Sequence, residues 1–195
     1  MPDGPHIRAR QVQNSLAALA KLTPEREHEI YAKLDAIDPA ILAGVRRARA
    51  RDWIPLAHDV QLSEVVEATL GPGSDRARAR ASLTLSLESS TFLEPLVRGV
   101  ELVFGLEPSA LLRQTTRGWA ALFLNAGSIR YVVAGPSERL IEYTEIPQVV
   151  VDSEVYLNSI AGALEALAGL AKVAATVEVR ERDTAERRAV FRARW

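Results

Sequence analysis

Two adjacent residues, His58 and Asp59, are the first candidates for chemistry, because an imidazole beside a carboxylate is the minimum outfit of a general base. Consecutive side chains rarely point at one another, and no nucleophile can be placed beside these two. They read as a surface or loop-stabilising pair. His28 stands one turn from Glu25 and next to Glu29. A metal site needs ligands that converge from other parts of the chain, and the spacing supplies none, so these residues read as a solvated helix face. The third histidine is His6, and there is no cysteine. That excludes disulfides, thiolate catalysis and thiolate-held zinc or iron–sulfur sites. No residue receives a catalytic or metal-ligating role, and the chain reads as a non-enzyme without a cofactor.

Arginines invite a nucleic-acid reading. They cluster as RRARAR at 46–51, RARAR at 76–80 and RERDTAERR at 180–188. On a helix, Arg76 and Arg80 share a face while Arg78 lies roughly 160° to 200° from each. No recognition-helix signature or aromatic platform accompanies them, and acidic residues balance them. They read as salt-bridged surface, with no nucleic acid as partner. GPGSDR at 71–76 is a glycine turn entering a helix, whose free amides are one place to hold a phosphate. It lacks the Walker pattern and follows no strand, so it reads as a turn and N-cap.

The elements that must position such residues come next. A chain of 195 residues with 48% hydrophobic content fits one domain with its own core. A net charge of −1 gives no global pull toward nucleic acid or a membrane. The start, MPDGPHIRAR, carries no secretory h-region. The most apolar stretch, 160–177, is interrupted by Glu165 and Lys172, which suits a buried helix better than a membrane span. The expected location is cytoplasmic.

The first part, 1–127, reads as mainly helical. Residues 6–21 show an apolar face of Ile7, Val12, Leu16 and Leu19. Thr23 caps a helix with Pro24 at its first position, and Asp38-Pro39 opens another over 39–50. DWIPLAHDV at 52–60 reads as a loop pinned to the core, LSEVVEATL at 62–70 as a short helix with Ser63 as cap. Further helices are expected over 75–88, 92–104 and 108–127. The second part, 128–195, reads as ββαββ. Hairpins at 128–146 and 176–195 flank a long helix over 151–173, capped by Asp152 or Ser153. In the last strand Ala189, Phe191, Ala193 and Trp195 oppose Val190, Arg192 and Arg194, the alternation of a sheet buried on one face. The fold class is α+β: an N-terminal helical part, then a four-stranded antiparallel sheet packed on helices.

On Trp53-Ile54-Pro55-Leu56, Leu70-Gly71, Phe104-Gly105, Pro108 with Leu111-Leu112, Trp119, Gly127, Ile160-Ala161-Gly162 and the ending Phe191 to Trp195, the chain resembles the haem-nitric-oxide-binding-like and 4-vinyl-reductase-like domains, a fold shared with TRAPP-type transport subunits. It is most similar to a bacterial paralogous family of haem-NO-binding-associated proteins. The resemblance implies the fold. Its haem-binding members use a proximal histidine on a helix and a Tyr-x-Ser-x-Arg clamp. Neither Ile129-Arg130-Tyr131 nor Gly135-Pro136-Ser137-Glu138-Arg139 reproduces that clamp, and the three histidines all lie early. The cysteines common in the family's closing hairpin are replaced, with Ala189 two residues before Phe191. The resemblance therefore argues against haem.

On the long helix, Ser159, Gly162, Ala163, Ala166 and Gly169 form a small-residue surface, and Tyr156, Ile160, Leu164 and Leu167 a bulky one. Small residues let another backbone come close or leave room for a ligand. The candidate pocket or interface residues are Trp119, Phe123, Tyr156, Ile160, Gly162 and Leu164. The reading placed first is a regulatory or protein-interaction module of this fold that has lost haem, with a protein partner or homodimer. The alternative is a sensor that binds a small apolar ligand or lipid between helices and sheet.

Overall fold

The computed structural model describes residues 3–89 and 107–195. The helix expected over 92–104 lies outside them. The fold is α+β, and its helical part is stitched by a small sheet that periodicity did not announce. Strand β1, His6–Arg8, pairs antiparallel with β2, Trp53–Pro55, and with β3, Phe123–Leu124. The first helix, α1, therefore starts at Ala9 and runs to Leu22, not from residue 6. Three-residue strands carry too little alternation to stand out from an amphipathic helix, so by periodicity the short strand reads as part of one.

The stretch 52–60 is not a loop. Pro55 ends β2 and leads directly into α4, Leu56–Leu70, a position where its missing N–H costs nothing. Ser63 is then a fully buried mid-helix residue, not a cap. Thr23 caps the other way: its amide donates to the Leu19 carbonyl and closes α1, and α2 starts later, at Glu27, ending at Ile37. The Asp38 carboxylate accepts from the Ala40 amide (2.8 Å) and opens α3, Ala40–Arg47. Gly71 and Gly73, at φ +97° and +83°, turn the chain from α4 into α5, Ser74–Ser89. The amides at that turn are not free. Glu67 accepts from Gly73 N (2.6 Å) and Asp75 N (3.0 Å), which occupies the phosphate-sized gap.

The helix expected over 108–127 breaks at Gln114 into α6, Pro108–Arg113, and α7, Thr115–Leu122, and its last residues belong to β3 and the following turn. The long helix expected over 151–173 is α8, Gln148–Val151, followed by α9, Glu154–Gly169. Ser153 caps α9, its hydroxyl accepting from Tyr156 N at 3.0 Å.

The larger sheet has four antiparallel strands: β4, Ser128–Gly135; β5, Glu138–Thr144; β6, Thr176–Asp183; and β7, Arg188–Arg194. Their order is β4-β5-β7-β6, so the two hairpins join through β5 and β7. The closing strand is thus central. Ile129, Ile141, Tyr143, Val177, Ala189, Phe191 and Ala193 are buried together with the helices. Val190, expected on the outer face, is buried as well. The outer face carries cross-strand ion pairs between directly opposed residues: Arg130 with Glu142, Glu178 with Arg192, and Glu138 with Arg194 (2.8 Å). Trp195 packs against the core edge, its amide donating to the Ser137 carbonyl and its ring lying 5.0 Å from the Arg139 guanidinium. Among the described residues no helix is long and apolar enough to cross a membrane.

Candidate functional site

A cavity of ≈ 150 Å³ opens between α5, α7, α9 and the inner face of β4. Trp119 and Phe123, one turn apart on α7 and its exit, stack with ring centroids 4.0 Å apart and form one wall. Tyr156, Ile160 and Leu164 recur every fourth residue on α9 and form the facing wall. Ser159 and Ala163 lie between them, and their small side chains leave the space open. Gly162, grouped with these residues by composition, does not line the cavity. It sits where α9 crosses α5, and a Cβ there would lie 2.6 Å from the Arg76 carbonyl oxygen. The small residues thus divide, Gly162 for backbone approach and Ser159 and Ala163 for volume.

The lining also has a charged part. Asp59 from α4 and Arg78 from α5 form it, and both are almost wholly buried. The Tyr156 hydroxyl donates to Asp59 Oδ2 (2.8 Å). Arg78 donates from Nε to Asp75 Oδ1 (2.6 Å) and from Nη2 to the Ser63 hydroxyl (3.0 Å). Two carboxylates therefore surround one guanidinium in the protein interior. Burial pushes the Asp59 carboxyl up from its ordinary range, against the pull of Arg78 and the Tyr156 hydrogen bond. Burial also raises the Tyr156 phenol far above its usual value, so it stays a neutral donor. For Arg78, burial works against the charge, but Asp75 and Asp59 more than offset it. Asp59 Oδ1, Asp75 Oδ2, Arg78 Nη1 and the Trp119 indole nitrogen have no hydrogen-bond partner.

This cluster corrects two expectations. Asp59 is a buried helical residue turned toward Tyr156, not half of a surface pair. His58, half-buried on the same helix, does not line the cavity, and burial lowers its pKa. Arg78 is not surface. Of the RARAR run, Arg76 and Arg80 meet Glu165 of α9, while Arg78 points inward. Glu165, taken as an interruption of an apolar stretch, is buried and also accepts from the Val177 amide of β6 (2.8 Å). A signal for the inward stripe exists in hindsight. Asp75, Arg78, Ser82 and Ser86 recur at helical spacing and are all buried. The serines pair with α1, Ser82 with Ser15 (3.1 Å) and Ser86 with Asn14 (2.8 Å). Hydrophobic periodicity is blind to an interface built from hydroxyls and amides. Among the described residues no group of three or more His, Cys, Asp or Glu is placed to hold a metal.

No family model matches the chain, and no curated protein matches it. Its fold does match solved structures. An H-NOX protein variant from K. algicida, in its unliganded Fe(II) form, is 8% identical and superposes with a TM-score of 0.64, over 96% of each chain. A variant H-NOX from T. Tengcongensis is 12% identical at a TM-score of 0.58, again over 96% of each. An oxygen-binding H-NOX domain related to soluble guanylate cyclases, in its oxygen complex, is 16% identical at 0.56, over 96% of this chain and 94% of that one. The likeness shows an H-NOX-like fold.

The residues around the cavity do not fit haem. Haem iron needs an axial His, Cys, Met or Tyr. The histidines are at 6, 28 and 58, the one Met is residue 1, and residues 90–106 contain none of the four types. His6 pairs with the Gly4 carbonyl through Nδ1 (3.0 Å), and His28 is exposed. Tyr156 is the one such residue in the cavity wall, and its hydroxyl is committed to Asp59. The space of ≈ 150 Å³ is also below the about 300–1,000 Å³ of pockets for larger ligands.

Proposed function

We propose that this chain is a non-enzymatic regulatory module that senses a small, mostly apolar molecule in the cavity between α5, α7 and α9, without haem. The observation that carries the reading is the cavity itself. Apolar cavities of about 150 Å³ stay dry and hold molecules the size of benzene or xenon. Its walls are mainly aromatic and aliphatic, with Asp59, Arg78, Gln11, Ser15, Gln114 and Thr115 also among the lining residues; α7 and α9 contact β4 and β6 of the larger sheet, and α7 leads into β3 of the small one. Occupancy of such a site biases the packing of those helices, which is what a sensor needs.

The interaction-module reading ranked first on sequence takes second place here. Among the described residues the exposed large apolar side chains, Leu22, Ile37, Val133 and Val173, lie on four separate segments. One of them favours a homodimer: Val133, 62% exposed, stands on β4, an outer strand of the larger sheet.

The test is thermal. A ligand that binds only the folded state raises the melting temperature. Saturating benzene is expected to do so. Ala163→Phe, which places a ring in the same space, is expected to abolish that rise without lowering the melting temperature of the ligand-free chain. A wild-type chain that melts unchanged in benzene overturns the reading.

A further inference from the structure

Most of the cavity lining is apolar, but Gln11, Ser15, Gln114, Thr115 and Ser159 also line it, and the buried Asp59 and Arg78 in its wall leave polar atoms unpaired. Asp59 and Arg78, 5% and 2% exposed, are among its lining residues, and each carries a buried atom with no partner, the acceptor Oδ1 of Asp59 and the donor Nη1 of Arg78. Their other polar contacts are made within the protein: Tyr156 to Asp59, and Arg78 to Asp75 and Ser63. Buried polar atoms are nearly always satisfied, and an unpaired donor and an unpaired acceptor on two residues of one cavity wall point to a missing group. Building on the ligand-sensing reading above, we infer that the molecule this cavity takes is a small neutral alcohol: a compact hydrocarbon body with one hydroxyl that accepts from Arg78 and donates to Asp59.

Charge selects against the other head groups. A carboxylate ligand would enter a place where Asp59 and Asp75 outnumber the single guanidinium. An ammonium would be placed against Arg78. A hydroxyl is the smallest group that both accepts and donates, and it brings no charge into a water-poor site. The hydrocarbon body then lies between Trp119 and Phe123 on one side and Ile160 and Leu164 on the other. A hydrocarbon without the hydroxyl fills the same volume and leaves both orphan atoms unpaired.

The test uses the full chain and three probes of one shape: cyclohexanol, cyclohexane and cyclohexanecarboxylate. Dissociation constants are read from the assigned Trp119 indole resonance. The expected result is cyclohexanol binding about tenfold or more tighter than cyclohexane, the size of one hydrogen bond made in a buried site, with the carboxylate weakest. Asp59→Leu, which removes the acceptor at similar volume, is expected to bring the alcohol and the hydrocarbon within about twofold of each other. Equal binding of cyclohexanol and cyclohexane by the wild type overturns the alcohol inference, since an ordered water then sits at the charged part, and leaves the sensing reading standing. Tighter binding of the carboxylate overturns the inference as well. Failure of all three to bind overturns both.

Discussion

Helix α5 meets the rest of the molecule at two buried carboxylate–arginine sites, two residues apart, and they are built to opposite ends. At one, Glu165 on α9 accepts from Arg76, Arg80 and the Val177 amide, so both of its oxygens are used and three elements are tied together. At the other, Arg78 faces Asp75 and Asp59 with an atom of each left without a partner. The first site is a clamp at the rim, where Arg80 is half exposed. The second lies at the wall of a cavity. A completed network rigidifies, while an incomplete one beside empty volume is where a ligand finds partners. The helical angle between Arg78 and its neighbours is what separates the two roles.

Breaking each site in turn measures that contrast. The largest effect is expected from Arg78→Met, which leaves Asp75 and Asp59 buried without a countercharge and is expected to cost about 3–5 kcal/mol in denaturant unfolding. Glu165→Ala comes next. It removes charge-assisted bonds from a clamp whose arginines can still turn to water, so the expected loss is about 1.5–3 kcal/mol. Gly162→Ala tests the same crossing from the backbone side. With a Cβ 2.6 Å from the Arg76 carbonyl, overpacking is expected to cost about 1–3 kcal/mol, and a neutral result would show that α5 and α9 are free to separate.

The smallest effect is expected from Asp59→Asn, and its sign depends on pH. Burial raises the folded-state pKa of Asp59 above its unfolded value. The stabilisation this group provides is therefore complete below the ordinary carboxyl range and is lost as pH rises through the raised folded value. The asparagine variant does not titrate. Relative to wild type it is expected to gain stability as pH rises from 4 to 8, read as a difference in unfolding midpoint across that range. A difference that stays flat with pH would place Asp59 in a solvated setting.

The sheet was legible and the site only in part. Strands β4 to β7 show enough alternation, with short turns between them, to be read as hairpins, and Ala189, Phe191 and Ala193 declare the buried face of the closing strand, although Val190 is buried too. The three-residue strands β1 and β2 cannot be read that way, because they are too short to carry a period and they pair with segments distant in sequence, β2 with β1 and β1 also with β3. The apolar walls followed from spacing: Tyr156, Ile160 and Leu164 sit on one helical face, with Trp119 and Phe123 on another. The charged part did not. Asp59, Arg78 and Glu165 look like surface in any composition-based reading, and only three-dimensional partners show that they are buried. By size Gly162 groups with Ser159 and Ala163, but its role comes from the Arg76 carbonyl on α5, which no local pattern records.

The most direct measurement of the central claim is a crystal structure of the full chain under xenon pressure. Xenon is expected as a single strong peak inside the cavity, between Trp119 and Ile160, with Arg78 and Asp59 unmoved beside it. A cavity closed by side chains, or filled by an ordered chain of waters with no xenon, would contradict the account.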